Sequence, residues 1–332
     1  MTRRTESKNS KPGANAPSSR WLRLKTLRSA FIDSRESLTK DYWQDQALLE
    51  LYDESLGRRI AWKWQAVMDE LKLRDLLTPL LENVDTLVDW GCGTGVASEM
   101  FLGNAMETHQ KRCKNLVLLD RSALATGFAH KKLSALGLSE NCLESQKFNS
   151  EGPRTGLLIS HVINEMPAPE VSKIIKAAQM SRFVLWVEPG AREQSRKLSE
   201  VRDALYSHGF HAWAPCLHQK KCPVLADGHE NDWCHSFAES PQEIHHSSFW
   251  SEFSQMMGID LRSNPYSFVL LSKDLPPPSP LKARVLQRPR ILKAHAEVEV
   301  CRVDGTLAVE KVEKRSQPDL YKTLKKELPF WL

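Results

Sequence analysis

Apolar residues between positions 41 and 71, DYWQDQALLELYDESLGRRIAWKWQAVMDEL, recur three and four apart with charges between them. That spacing predicts amphipathic helices, interrupted only by Gly57. From Thr86 the pattern changes to short, continuous apolar runs separated by longer amphipathic segments. TLVDW (86–90), NLVLLD (115–120), GLLISHVIN (156–164), RFVLWVE (182–188), FHAWAP (210–215) and YSFVLLSK (266–273) read as strands. VASEMFLGNAMETHQ (96–110), SALATGFAHKKLSALG (122–137), APEVSKIIKAAQM (168–180) and REQSRKLSEVRDALYSHG (192–209) read as helices. Apolar strands alternating with helices predict an α/β fold: a doubly wound, mostly parallel sheet covered on both faces. The expected organisation is a tail (1–20), a helical region (21–83), an α/β domain (84–275) carrying a cysteine-rich insertion at 214–236, and a C-terminal extension (276–332). PPPSP (276–280) stiffens the junction. In the extension, AEVEVCRVDGTLAVEKVEKR reads as a β-hairpin turning at Asp304-Gly305.

Charge and composition narrow the class. No stretch approaches the ~20 apolar residues a membrane span needs. The first twenty residues are polar, basic and rich in Ser and Pro, with no apolar secretory core; they read as a disordered tail. The expected location is cytoplasmic. The mitochondrial matrix is the alternative, because a presequence is also rich in Arg and Ser. The net charge of +5 is unevenly spread. KARVLQRPRILKAH (282–295) holds Lys282, Arg284, Arg288, Arg290 and Lys293 and no acid, which reads either as a phosphate-contacting stretch or as a solvated face.

TLVDW leads directly into Gly-Cys-Gly-Thr-Gly, so Asp89, Gly91, Gly93 and Gly95 form D-x-G-x-G-x-G at a strand-to-helix turn. A dinucleotide fingerprint fails at Val96 or Ser98, and the Lys-Ser/Thr of a P-loop is absent. The pattern instead resembles the S-adenosylmethionine loop of doubly wound methyltransferases. In that resemblance an acid closing the second strand, here Asp120, takes the ribose hydroxyls. At the end of the fourth strand, where the methyl acceptor would lie, there is neither an Asn/Asp-Pro-Pro-aromatic motif nor a Pro-Cys nucleophile. His161 and Glu165 are the candidate bases there, with a core role the alternative for each, and no catalytic residue is assigned.

Seven cysteines without a secretion signal point to metal ligation more than to disulfides. Cys216, Cys222 and Cys234 form C-x5-C-x11-C, a poor match to tight zinc knuckles. His218 and His235 lie near in sequence. Cys301 is the better fourth ligand, since it alternates away from Val298 and Val300 on its strand. Four thiolates would hold an iron–sulfur cluster or a zinc ion. APC-x5-CP, DWCH, RVLQRPR and C-R-V-D-G, following a methyltransferase-like domain, resemble the methyltransferase-like small-ribosomal-subunit proteins of mitochondria and bacteria over about residues 50–325. That resemblance implies a [4Fe–4S] cluster on Cys216, Cys222, Cys234 and Cys301, and cofactor contacts at Asp89, Gly91, Gly93, Gly95 and Asp120. It also implies the small ribosomal subunit and its rRNA as partners of what is expected to be a monomer. Within it, an rRNA methyltransferase and a non-catalytic assembly factor compete. The alternative is a small-molecule or protein methyltransferase with a structural four-cysteine zinc.

Overall fold

The computed structural model describes residues 19–33, 43, 45–108, 115–138, 142–143, 154–163, 168–326 and 329–331. Residues 1–18 of the expected tail lie outside the described residues, and its last two open the first helix, α1 (Ser19–Asp33). Helices α2 (Gln46–Tyr52), α3 (Arg58–Leu73) and α4 (Leu77–Leu81) complete the N-terminal region, with a π-helical turn at Asp53–Gly57 joining α2 to α3.

The central sheet contains β1 (Thr86–Trp90), β2 (Asn115–Leu119), β3 (Cys142–Leu143), β4 (Thr155–Ser160), β5 (Phe183–Pro189), β6 (His211–Ala214), β7 (Ser236–Phe237) and β8 (Pro265–Ser272). Its order is β3-β2-β1-β4-β5-β8-β6, with β7 beside β8. The first five strands are parallel and β8 runs antiparallel to both β5 and β6. The alternation along each strand divides two cores. Leu87, Leu116, Leu118, Leu158 and Leu185 enter one. Val88, Val117, Leu157, Ile159 and Trp186 enter the other. Apolar side chains on both faces account for the continuous apolar runs. Helices α5 (Val96–Thr108), α6 (Ala123–Ala135), α7 (Ala168–Met180) and α8 (Arg192–Tyr206) provide the crossovers. Strand order reverses between β1 and β4, and ligands of open α/β sheets bind at the carboxyl ends of strands flanking such a reversal.

Three expectations need correction. The strand predicted at 156–164 ends at Ser160 because His161 turns into a positive φ of 57°. The segment between β6 and β8 is more than a loop: it includes α9 (Ser248–Met257). Trp250, Phe253 and Met257 of α9 pack with Trp21 and Leu24 of α1 in a third core. The C-terminal hairpin, β11 (His295–Arg302) and β12 (Leu307–Glu313), is part of a four-stranded sheet with β9 (Ala283–Val285) and β10 (Arg290–Ile291). Helix α10 (Pro318–Lys326) sends Tyr321 and Leu324 into that sheet's core.

Candidate functional site

The turn after β1 is fastened to β2, because the amides of Gly91 and Cys92 both donate to the Leu119 carbonyl at 2.7 and 3.0 Å. Gly91, Gly93 and Gly95 have φ of 71°, 49° and 75°, a region that favours residues without a Cβ. Their surroundings differ. A Cβ on Gly91 would stand 2.7 Å from Val162 Cγ1, and one on Gly95 3.0 Å from Ala129 Cβ, whereas one on Gly93 would meet nothing within 4 Å. Gly93 alone therefore faces space that a ligand could use; the other two glycines allow the turn to pack. Half-buried Asp120 accepts the Gly93 amide at 3.0 Å and the Ser122 amide at 2.9 Å. Asp89 is fully buried and accepts both the amide (3.2 Å) and the hydroxyl (2.6 Å) of Ser98, which ties the loop to the first turn of α5. Burial pushes its pKa up to about 6.

Beside the loop, at the ends of β4 and β5, lies a buried polar network. His161 Nε2 is 3.1 Å from Lys63 Nζ and its Nδ1 is 3.1 Å from Ser160 Oγ, which accepts Trp64 Nε1 at 2.9 Å. Burial, then repulsion by Arg59, lowers the Lys63 pKa to about 7. Burial, then the charge of Lys63, keeps His161 well below its usual range and hence neutral. Glu188 Oε1 accepts Trp186 Nε1 (2.6 Å) and the amides of Val162 and Ile163 (3.0 Å each), while Oε2 is buried without a partner. Burial raises its pKa to about 7. Glu188 thus holds the start of the segment after β4. Lys63 and Glu188 escaped the sequence reading. The available signal was an isolated charge within an apolar pattern, Lys63 between Trp62 and Trp64 and Glu188 ending RFVLWVE. Glu165 lies outside the described residues.

Cys216, Cys222, Cys234 and Cys301 all line one cavity of about 40 Å³. All four are free. Helix α8 supports their loop along one face. Arg196 donates to the carbonyls of Val224, His229 and Asp232, and Arg202 to those of His218 and Lys220. Asp203 accepts the Cys222 amide at 2.9 Å, and Ser195 Oγ donates to the Cys234 carbonyl. The fourth cysteine arrives from the other sheet. On β11, Ala296, Val298 and Val300 are buried in the sheet's own core, so Cys301 points to the opposite face, as its alternation predicted. Its Sγ is 3.4 Å from His218 Nε2, and His218 Nδ1 accepts the Lys220 amide, so Nε2 carries the proton aimed at the sulfur. Burial, and after it the neighbouring thiolates, pushes the Cys222 thiol up to about 11 and the Cys301 thiol further. Cys234 is raised by burial to about 12. Among the described residues, no three His, Cys, Asp or Glu side chains gather closely enough to hold a single metal ion. Cys92 is buried in the glycine loop, and Cys113 lies outside the described residues.

The basic stretch 282–295 requires correction. Arg284 is only 4% exposed. It bonds Glu70 Oε2 at 2.7 Å and Ser236 Oγ at 2.9 Å, and it lines the cysteine cavity. It is an internal tie between β9, α3 and β7, not a phosphate contact. Lys282, Arg288, Arg290 and Lys293 are exposed.

The reversal between β1 and β4, the antiparallel β8 inserted between β5 and β6, and the glycine turn at the reversal define a Rossmann-like protein of the S-adenosylmethionine methyltransferase fold. The chain belongs to the family described as mitochondrial small ribosomal subunit Rsm22, which matches residues 66–329. Similar solved structures include magnesium protoporphyrin IX methyltransferase from Synechocystis PCC 6803 with bound SAM (12% identity, 80% of this chain and 100% of that one, TM-score 0.40). An rRNA methylase from Streptococcus thermophilus is 14% identical over 60% of this chain and 93% of its own, with a TM-score of 0.34. An O-methyltransferase family protein from Burkholderia thailandensis is 12% identical over 58% and 67%, with a TM-score of 0.41. At such similarity these neighbours say nothing about chemistry. No match was found among curated proteins. No helix among the described residues is long and apolar enough to cross a membrane.

Proposed function

We propose that this protein binds S-adenosylmethionine at the glycine loop, carries a [4Fe–4S] cluster on Cys216, Cys222, Cys234 and Cys301, and acts on the small ribosomal subunit in the mitochondrial matrix. The observation carrying this reading is the convergence of the four thiols on one cavity, three from a loop after β6 and one from a separate sheet. The donor set fits the group. Thiolates on one zinc ion stand about 3.8 Å apart, from Zn–S bonds of about 2.3 Å. Each thiolate of a four-iron cluster binds its own iron and stands further off. Arg202 and Arg284, lining the same cavity, would offset the negative charge of a thiolate-ligated cluster. Held in this way, a cluster would fasten the C-terminal sheet to the α/β domain and join its folding free energy.

The glycine loop likewise fits its ligand. Gly93 offers unobstructed backbone, and the Asp120 carboxylate lies beside it. The cofactor would supply an activated methyl group. Asp89 would act at one remove, by fixing the loop to α5. A non-catalytic assembly role is favoured by one feature of the acceptor side: both ring nitrogens of His161 already have partners within the protein. The domain organisation follows from this reading, with the extension from residue 276 acting as the cluster-bound arm.

Anaerobic purification followed by iron, acid-labile sulfide and zinc analysis tests the central claim. About four irons and four sulfides per chain, lost in Cys234→Ser and kept in Cys92→Ser, are expected for a [4Fe–4S] site. Stoichiometric zinc without sulfide would overturn it in favour of the four-cysteine zinc alternative. Transfer of labelled methyl to immature small subunits separates the enzyme from the assembly factor.

A further inference from the structure

A groove of about 1070 Å³ runs between α3 and the C-terminal extension. It shares no lining residue with the cysteine cavity. It exceeds the roughly 300–1,000 Å³ of ordinary small-molecule clefts. Trp62 and Ala66 of α3 line it together with Arg288, Ile291, Leu324 and Phe330 of the extension and residues 237–242. Among the described residues three aromatic rings line it, Trp62, Phe237 and Phe330, each half-buried with area left uncovered.

Cations accompany the rings. The Arg288 guanidinium lies 4.2 Å from the Phe237 centroid. Arg288 is exposed, and a guanidinium offers several donors suited to a phosphate. Lys325 and Lys326, both exposed, line the groove at the end of α10. Arg262 also lines the groove and pairs with Asp260 at 3.0 Å; Arg288, Lys325 and Lys326 add three further cations among the described residues. Among the described residues two carboxylates, Asp69 and Glu239, also line the groove, and Asp69 accepts a hydrogen bond from Gln65.

We propose that this groove binds a single-stranded RNA segment, with bases against the aromatic rings and phosphates at Arg288, Lys325 and Lys326. The proposal rests on the small-subunit reading above and relocates its RNA contact from the whole basic stretch to the groove. Rings interleaved with cations suit a strand whose bases are unpaired, since every base offers a π-face and stacking tolerates any sequence. Paired bases in a duplex are unavailable to such rings. An acidic peptide would use the cations and leave the rings without a role.

The test measures fluorescence anisotropy of fluorescein-labelled (U)12 with the full chain across a salt series. The triple variant Arg288→Glu, Lys325→Glu, Lys326→Glu should weaken binding at least tenfold and reduce the salt slope by about 2, at ~0.7 per phosphate contact for single strands. Phe330→Ala should weaken binding by about 5- to 150-fold through lost stacking. Lys293→Glu and Lys282→Glu, exposed and outside the groove, should bind as wild type does, and circular dichroism confirms that each variant folds. Wild-type affinity in the triple variant, equal loss in the two control variants, or competition by a poly-glutamate dodecamer as effective as by unlabelled RNA would each overturn the proposal. Co-sedimentation with small subunits is read separately. Wild-type protein that binds (U)12 through the groove but meets no particle retains the groove and defeats the ribosomal reading. Groove variants that still co-sediment while wild type fails to bind (U)12 do the reverse.

Discussion

Replacing Arg284 with Met tests whether the basic stretch faces RNA or the protein's own interior. Arg284 is 4% exposed and Glu70 is fully buried, and their atoms meet at 2.7 Å. Removing one partner of a buried ion pair costs about 3–5 kcal/mol, because the remaining charge stays buried. Arg74 moderates this, since it also reaches Glu70, at 3.4 Å. The low end, about 3 kcal/mol, is therefore expected. At roughly 2–4 °C per kcal/mol for domains of this scale, the melting temperature should fall by at least about 6 °C. Tryptophan fluorescence in urea and a thermal melt give the two numbers. Adding Glu70→Leu to Arg284→Met should recover part of the loss, because an apolar replacement for a buried ion pair is often neutral. A change below about 0.5 kcal/mol, the range of ordinary surface substitutions, would refute the buried tie. If RNA affinity fell at the same time, Arg284 would be the phosphate contact its sequence context implied.

Gly93→Ala should fold, at a cost of about 1–2 kcal/mol for the left-handed backbone, and lose S-adenosylmethionine affinity by calorimetry; unchanged affinity would remove Gly93 from the ligand site. Gly91→Ala should destabilise more, because its Cβ would stand 2.7 Å from Val162; equal melting temperatures for the two variants would contradict the packing. Glu188, raised from 4.5 to about 7 by burial, is protonated in the fold where the unfolded chain is ionised. Its stabilisation is complete below 4.5 and lost as pH rises through 7, on the order of 3 kcal/mol at ~1.4 kcal/mol per pKa unit. Lys63, lowered from 10.5 to about 7, acts in the opposite sense, and stability returns as pH rises from 7 through 10.5. Glu188→Gln should flatten the slope of the urea midpoint between pH 5 and 7, and a wild-type slope in that variant would show that Glu188 is not the titrating group.

The sheet was legible along the chain because burial is periodic. TLVDW matches β1 from end to end, and APEVSKIIKAAQM matches α7. The glycine turn was legible for a related reason, since a backbone at positive φ restricts which residues can occupy it. Cys301 was placed on the correct face of β11 by alternation alone. Helices α9 and α10 were missed: α9 follows a loop rich in His and Pro, and α10 carries only two buried side chains. What lay beyond the sequence was partnership across distance. Arg284 reads as one of five cations, and only packing against Glu70, 214 positions away, makes it internal. Lys63 and Glu188 are ordinary surface types whose titration is set by burial that no local pattern records. The same holds for the thiols: their spacing named the candidates, but the docking of one sheet against α8 and its loop brought four side chains to one cavity. Local periodicity reports which way a side chain points, whereas what it meets depends on how separate elements pack.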